Sequence, residues 1–118
     1  MQLESQHQAA LFQWVTYNIV RLPELELLFH IPNGGRRDRL EAARLKKEGV
    51  KAGVSDLFLP VARKGYHGLW IEMKAGDNKP TAAQIKWLSS MKKQGYATAV
   101  CYTWTAAAEL IEKYLKQE

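Results

Sequence analysis

The chain has 118 residues, 47% of them hydrophobic, which is the size and apolar content of one domain with its own core. Because Cys101 is the only cysteine, a disulfide scaffold and a thiolate metal cage are excluded. Seventeen Lys and Arg against twelve Asp and Glu give a net charge of +5, which predicts an anionic partner, nucleic acid ahead of a membrane surface. With no apolar run near the roughly 20 residues of a membrane span and no signal-peptide pattern, we expect an intracellular, cytoplasmic protein.

Hydrophobic spacing predicts eight elements within a single domain over residues 1–118. In chain order they are a helix over 5–20, a strand over 25–31, a helix over 37–48, strands over 56–61 and 68–74, a helix over 81–94, a strand over 97–102 and a helix over 104–115. This order predicts an α/β fold in which helices flank a mixed β-sheet.

The two central strands alternate between apolar and polar positions. Even positions carry Asp56, Glu72 and Lys74, whereas the odd positions are apolar throughout: Leu57, Leu59, Val61, Leu69, Ile71 and Met73. Alternation with a period of two predicts that the odd face enters the core and that the even face is left for chemistry.

A hairpin that turns near Lys64 places Asp56 directly opposite Glu72. Opposed side chains lie about 5 Å apart at Cβ, where two carboxylates repel by on the order of 3 kcal/mol at an effective dielectric constant near 20. A favourable cross-strand pair contributes only about 0.2–1 kcal/mol. A divalent cation shared by both carboxylates would compensate for this repulsion, and Lys74, about 7 Å along the same face, would relieve part of it.

Three interpretations of this pair compete. Two solvated surface acids with Lys74 as an ordinary ion-pair partner is the usual case for exposed charges. A general acid/base pair, as in glycoside hydrolysis, fits poorly in a small basic domain with a fixed cation beside the pair. A site for Mg²⁺ or Mn²⁺ that hydrolyses phosphodiesters fits both the oxygen ligands and the charge of the chain.

Four motifs in order resemble the VRR-NUC nuclease domain, a branch of the PD-(D/E)xK superfamily. A lone Asp…Glu-x-Lys pattern is weak, but the four together are specific and cover nearly the whole chain. They are Pro32-Asn33-Gly34-Gly35, Gly53-Val54-Ser55-Asp56-Leu57, Ile71-Glu72-Met73-Lys74, and Gln84 with Trp87 one turn later. The resemblance implies a restriction-endonuclease-like fold with its active site on the central β-hairpin.

The resemblance also implies roles for individual residues. Lys74 would orient or deprotonate the attacking water and offset charge in the transition state, and Gln84 would support this lysine and the substrate. For Glu4, a frayed and solvated N-terminal acid is an equally good interpretation. The implied catalytic residues are Asp56, Glu72, Lys74 and Gln84, and the implied metal ligands are Asp56, Glu72, the backbone carbonyl of Met73, and Glu4.

A basic segment precedes the first central strand. Because it follows a glycine loop that permits close backbone approach, we favour phosphate contact over a merely solvated helix face. The predicted DNA-binding residues are Asn33, Gly34, Gly35, Arg36, Arg37, Arg39, Arg44, Lys47 and Lys51. Tyr66 and Trp70 are candidates for base stacking, and Trp14, Trp87 and Trp104 are assigned to the core. The three histidines lack metal-ligand spacing, so each is expected to be a surface or hydrogen-bonded residue.

The function that the resemblance implies is a Mg²⁺- or Mn²⁺-dependent DNA endonuclease without an organic cofactor, in a bacterial or phage-infected cell. Relatives of this size resemble homodimeric resolvases of four-way junctions, and symmetrical cleavage of a junction needs two sites related by a two-fold axis. Phe12, Phe58 and Trp70 are candidates for the dimer surface. The alternatives are a monomeric flap or nicking endonuclease and a non-catalytic DNA-binding module.

Overall fold

The computed structural model describes residues 3–32 and 38–118. Its elements are, in chain order, α1 (Glu4–Asn18), a 3₁₀ helix (Pro23–Leu27), β1 (Phe29–His30), α2 (Arg39–Lys47), β2 (Leu57–Leu59), β3 (Leu69–Met73), α3 (Ala82–Lys93), β4 (Ala97–Cys101) and α4 (Trp104–Leu115). The strands form one sheet in the order β1-β2-β3-β4, with β3 and β4 parallel and the other neighbours antiparallel. The predicted mixed sheet flanked by helices is confirmed.

The β2–β3 hairpin has the predicted register. Leu57 pairs with Ile71, and Leu59 pairs with Leu69. The chain turns at Lys64 and Gly65, which both have positive φ, 47° and 83°. Two successive residues with positive φ give the turn a twist that suits a tight hairpin. One step beyond Leu57, the same ladder brings Asp56 opposite Glu72.

The odd face of the hairpin forms the core with α1 and α4. Leu57, Leu59 and Ile71 are completely buried there, together with Leu11 of α1 and Ile111 of α4. α4 has the predicted bounds, because its N-cap Thr103 accepts a hydrogen bond from the Ala106 N–H and its apolar face is continuous. Trp14 and Trp104 pack against this core as expected.

Aromatic rings cover the even face at Phe58 and Trp70, so the part of this face that remains for chemistry is the end that carries Asp56 and Glu72. Phe58 stacks on Trp70 with ring centroids 4.2 Å apart, and Trp70 meets the edges or faces of Trp87 and Tyr96. All five residues of β3 are consequently buried. With only 9% of its surface exposed, Trp70 is available neither for base stacking nor for a dimer surface. Trp87 belongs to this aromatic layer.

Two other local predictions are wrong. The strand predicted over 25–31 is a 3₁₀ helix followed by the two-residue β1, since Pro23 favours a helical start and Leu25 and Leu28 bury themselves at the i, i+3 spacing of a 3₁₀ turn. The spacing predicts an apolar stripe of Ile85, Leu88 and Met91 on α3; Leu88 and Met91 are half-buried, but Ile85 is 57% exposed. Within the described residues, no helix is long and apolar enough to cross a membrane.

Candidate active site on the central hairpin

Asp56 and Glu72 lie at the open end of the hairpin. Asp56 comes directly before β2, and its Oδ2 accepts a hydrogen bond of 2.8 Å from the backbone N–H of Met73. This bond fixes the Asp56 carboxylate against β3, beside Glu72. The sequence-predicted opposition of the two acids is therefore present, with a backbone contact that holds it.

Glu72 is a buried acid in an unfavourable position. Only 1% of its surface is exposed, and its Oε1 has no hydrogen-bond partner among the described residues. Burial, then the side-chain hydrogen bond and negative charge of Asp56, raise the pKa of Glu72 to about 8, and the charge of Glu4 acts in the same direction. Lys74 opposes this shift without cancelling it. The site therefore lacks positive charge near Glu72.

Lys74 is the ammonium group of the site. Its Nζ lies 3.6 Å from Oε2 of Glu72, and the residue is 8% exposed. Burial lowers the local dielectric constant and so strengthens the effect of the lysine on any charge that develops nearby. This ammonium is the one positive charge named among the groups that shift the pKa of Glu72, against the negative charges of Asp56 and Glu4.

Glu4 is the first residue of α1 and is half-buried. It lies inside the helix, and its charge reaches Glu72. The interpretation of Glu4 as a solvated acid before the helix is therefore wrong. Its role as a metal ligand stays a prediction.

The donor set suits a hard divalent cation. Across residues 3–32 and 38–118, no three His, Cys, Asp or Glu side chains converge into a ready-made metal cage. Mg²⁺ needs none, because it is usually bound by one or two carboxylates and keeps several waters. A strand residue points its N–H and C=O to the same side, so the Met73 carbonyl points toward the side on which its N–H binds Asp56. The Met73 side chain is buried in the core, which leaves this carbonyl as its possible ligand atom.

Gln84 has a structural role at the start of α3. Its Oε1 accepts a 2.8 Å hydrogen bond from the Thr81 N–H, and the Thr81 hydroxyl accepts one of 3.2 Å from the Gln84 N–H. This reciprocal capping box stabilises the helix start. The support of Lys74 by Gln84 stays a prediction.

The predicted DNA-binding residues divide into two groups. Asn33, Gly34, Gly35, Arg36 and Arg37 lie outside the described residues. The other four (Arg39, Arg44, Lys47 and Lys51) are all exposed on α2 and just after it. Arg44 is paired with Glu48 on the same helix at 3.1 Å. These side chains are accessible to DNA, and their contact with it stays a prediction.

Sequence reasoning missed the environment of one residue beside the acids. Ser55, a member of the second motif, is completely buried, with no hydrogen-bond partner for its hydroxyl among the described residues. Its place next to Asp56 in that motif was the only available signal. His30 is exposed, and its Nδ1 lies 3.0 Å from the Asp56 backbone oxygen, so the ring donates there. His7 likewise is a hydrogen-bonded histidine as expected, since its Nδ1 accepts from the Trp104 N–H.

A mixed sheet flanked by helices, with two carboxylates and a lysine at one end of a central hairpin, defines a restriction-endonuclease-like α/β fold. The model of the VRR-NUC domain family matches residues 3–104. A solved structure of a VRR_NUC domain protein is 31% identical, covers 99% of this chain and 91% of its own, and superposes with a TM-score of 0.83. No curated protein matches the sequence. The chain belongs to the VRR-NUC domain family, a family of nucleases, which implies DNA as its class of substrate.

Proposed function

We propose that this protein is a Mg²⁺- or Mn²⁺-dependent endonuclease that hydrolyses phosphodiester bonds in branched DNA, acting on four-way junctions as a homodimer. The observation that carries the proposal is Glu72, a buried acid with an unpartnered oxygen, held opposite Asp56 and 3.6 Å from Lys74. A carboxylate pair of this kind is destabilising unless a proton or a cation joins it, and a bound divalent cation would let both acids ionise.

Asp56, Glu72 and the Met73 carbonyl are the groups that would hold the metal, with Glu4 as a further candidate. A metal bound there lowers the pKa of water and neutralises the non-bridging phosphate oxygens. The Met73 N–H keeps the Asp56 carboxylate in place before the substrate arrives. Lys74, buried and near Glu72, would donate to the attacking water or to a phosphate oxygen and offset the developing negative charge.

The homodimer is proposed from the symmetry of the substrate, because two cuts at a junction need two sites. Of the predicted dimer residues, Trp70 is buried and Phe58 is half-covered by its stack on Trp70. Phe12 lines a groove between α1 and β1 beside Phe29, which is 46% exposed. The edge formed by α1 and β1 is therefore the dimer surface that fits best.

The test is a cleavage assay on linear, flap, fork and four-way DNA with Mg²⁺, Mn²⁺ or EDTA, beside a mass measurement in solution. We expect metal-dependent cutting of the junction by a dimer, and its loss by at least about a hundredfold in Lys74→Ala and Asp56→Ala. Lys79→Ala, an exposed loop lysine, is the matched control and should cut normally. Undiminished cutting by the Lys74 or Asp56 variants would reject the assigned site.

The same assay separates the alternatives. If a monomer preferentially cuts flaps or nicks DNA, the protein is a flap or nicking endonuclease and not a junction resolvase. If the protein binds all of these substrates but cuts none of them with Mg²⁺ or Mn²⁺, it is a non-catalytic DNA-binding module. In that case Asp56→Ala should bind DNA at least as tightly as the unaltered protein, since a carboxylate facing phosphates is lost.

A further inference from the structure

A groove of about 730 Å³ runs between α2 and α3, apart from the catalytic acids. Each helix lines it with residues at the i, i+3, i+4 spacing of one helical face: Ala42, Leu45 and Lys46 on α2, and Ala83, Lys86 and Trp87 on α3. Small alanines on both faces keep the groove open. Its volume lies within the range of about 300–1,000 Å³ typical of sites that bury small ligands.

The groove has apolar walls that the described chain covers only in part. None of the residues of α2 or of α3 is buried, and Val50, which closes one end, is 41% exposed. Leu45 and Trp87 are half-buried. The groove therefore offers apolar surface to a ligand.

The charges around the groove select an anionic occupant. Lys46, Lys51 and Lys86 line it, and no described lining residue is acidic. A second copy of this chain seated on the same groove across a two-fold axis would bring the three lysines against their own equivalents, which is repulsive. Nucleic acid supplies both the negative charge and, in its bases, a flat surface for the apolar walls.

The shape of the groove favours an unpaired nucleotide over a duplex. A duplex presents phosphates and sugars to a protein surface while its bases stay stacked inside. Phosphate groups make no favourable contacts with a recess lined by leucine, valine and tryptophan side chains. An unpaired base, in contrast, stacks on aromatic and apolar side chains while lysines contact the flanking phosphates.

The segment that closes one end of the groove leads directly to the catalytic hairpin. Gly53 has a φ of 90°, and a Cβ placed there would lie 2.6 Å from the backbone oxygen of Ala83. The segment from Lys51 to Asp56 therefore passes against the first turn of α3 and connects one wall of the groove to the site. The five residue steps from Lys51 to Asp56 span at most about 18 Å. A DNA strand bound in the groove would therefore lie a few nucleotides from Asp56.

We infer that the groove between α2 and α3 binds an unpaired nucleotide of the DNA substrate, with its base against Leu45, Val50 and Trp87 and its phosphates at Lys46, Lys51 and Lys86. The inference rests on the proposed function for its substrate class. It assigns the groove to a nucleotide that becomes unpaired at the branch point, near the scissile bond.

The test compares Ala42→Glu with Ala43→Glu. Both positions are exposed on α2 and receive the same charge and bulk, but only Ala42 lines the groove. In EDTA, we expect Ala42→Glu to weaken the binding of a labelled oligothymidine of about twelve nucleotides by about fivefold or more. Ala43→Glu should change the affinity for this oligothymidine by less than about twofold. The affinity for a duplex of equal length should change by less than about twofold in both variants.

A second pair tests the phosphate contacts on α3, where Lys86 lines the groove and Lys92 does not. Lys86→Ala should weaken binding of the oligothymidine more than Lys92→Ala. Circular dichroism and a mass measurement of each variant verify that folding and assembly are unchanged.

Equal losses in Ala42→Glu and Ala43→Glu, or a duplex that loses as much as the single strand, would overturn the inference. So would a change of oligomeric mass in Ala42→Glu, which would identify the groove as an interface between copies. Because binding is measured without cleavage, a protein that binds in the groove but cuts no DNA would refute the proposed function alone.

Discussion

The two sides of the sheet are built in opposite ways. α4, on one side, buries five of its residues against α1 and the odd face of the hairpin. α2 and α3, on the other side, bury none of theirs, and a groove with three lysines separates them. The first side holds most of the buried apolar residues. The second side leaves surface for a ligand, so the two sides should respond differently to substitution.

The largest expected effect is on stability and compares one apolar residue from each side. Ile111→Ala should lower the free energy of unfolding by about 2–5 kcal/mol, because Ile111 is completely buried in α4. Leu40→Ala should change it by less than about 0.5 kcal/mol, because Leu40 on α2 is 85% exposed. Urea denaturation measures both. A comparable loss for Leu40→Ala would show that α2 is covered by part of the molecule.

The second prediction compares two glutamates whose pKa values shift in opposite directions. The pKa of Glu72 is raised to about 8, so in the metal-free protein the folded state binds more protons than the unfolded state between pH 4.5 and 8. Stability should therefore fall over this range as the pH rises, by on the order of 2–4 kcal/mol. Glu72→Gln should remove this dependence and also abolish stabilisation by Mg²⁺.

Glu112→Gln is the matched control. Hydrogen bonds from Arg21 and Lys116 lower the pKa of Glu112 to about 2, so its contribution is present above pH 4.5 and is lost only as the pH falls toward 2. Solvent screens the charge of Glu112. At each pH between 5 and 8, the Glu112→Gln variant should therefore melt at almost the same temperature as the unaltered protein. A flat pH profile for the unaltered metal-free protein would contradict the assigned environment of Glu72.

The third prediction separates backbone strain from steric overlap at two glycines. Gly53→Ala and Gly49→Ala both place a side chain at positive φ, 90° and 102°, which costs about 1–2 kcal/mol. Only the Cβ at Gly53 would also meet the Ala83 backbone; the space around Gly49 is open. Gly53→Ala should therefore be the more destabilising in urea and should weaken single-strand binding. Equal losses would mean that α3 shifts freely away from the Gly53 segment.

The smallest effect is expected at the exposed cations of α2 and its C-terminal turn. Arg39→Ala and Lys47→Ala, which lie outside the groove, should each weaken binding to all DNA shapes and reduce the slope of affinity against salt by about one. Lys113→Ala, an exposed lysine on α4, should leave the slope unchanged. DNA titrations at several salt concentrations measure this slope. Unaltered slopes would show that the exposed cations of α2 are solvated and do not contact DNA.

The sequence was informative where a pattern has one physical solution. Alternation on both central strands determined the hairpin register, since a shift by one residue would expose Leu57 and Ile71. The amphipathic face of α4 and its Thr103 cap determined that helix. The opposition of Asp56 and Glu72 followed from the register alone.

Sequence reasoning failed where the answer depends on a distant element. Nothing near Trp70 in the chain indicates that Phe58, Trp87 and Tyr96 would cover it. The spacing of Leu25 and Leu28 fits a strand as readily as a 3₁₀ turn. The groove between α2 and α3 could not be predicted either, because its walls come from segments about forty residues apart in the sequence.

Met73 combines three functions in one residue. Its side chain is buried in the core, its N–H holds the Asp56 carboxylate, and its carbonyl points to the same side of the strand. A change of side-chain volume at this position therefore displaces the peptide unit that orients the acid. We therefore expect a replacement of Met73 by a side chain of different volume to disturb the Asp56 carboxylate, even though the Met73 side chain itself lies in the core.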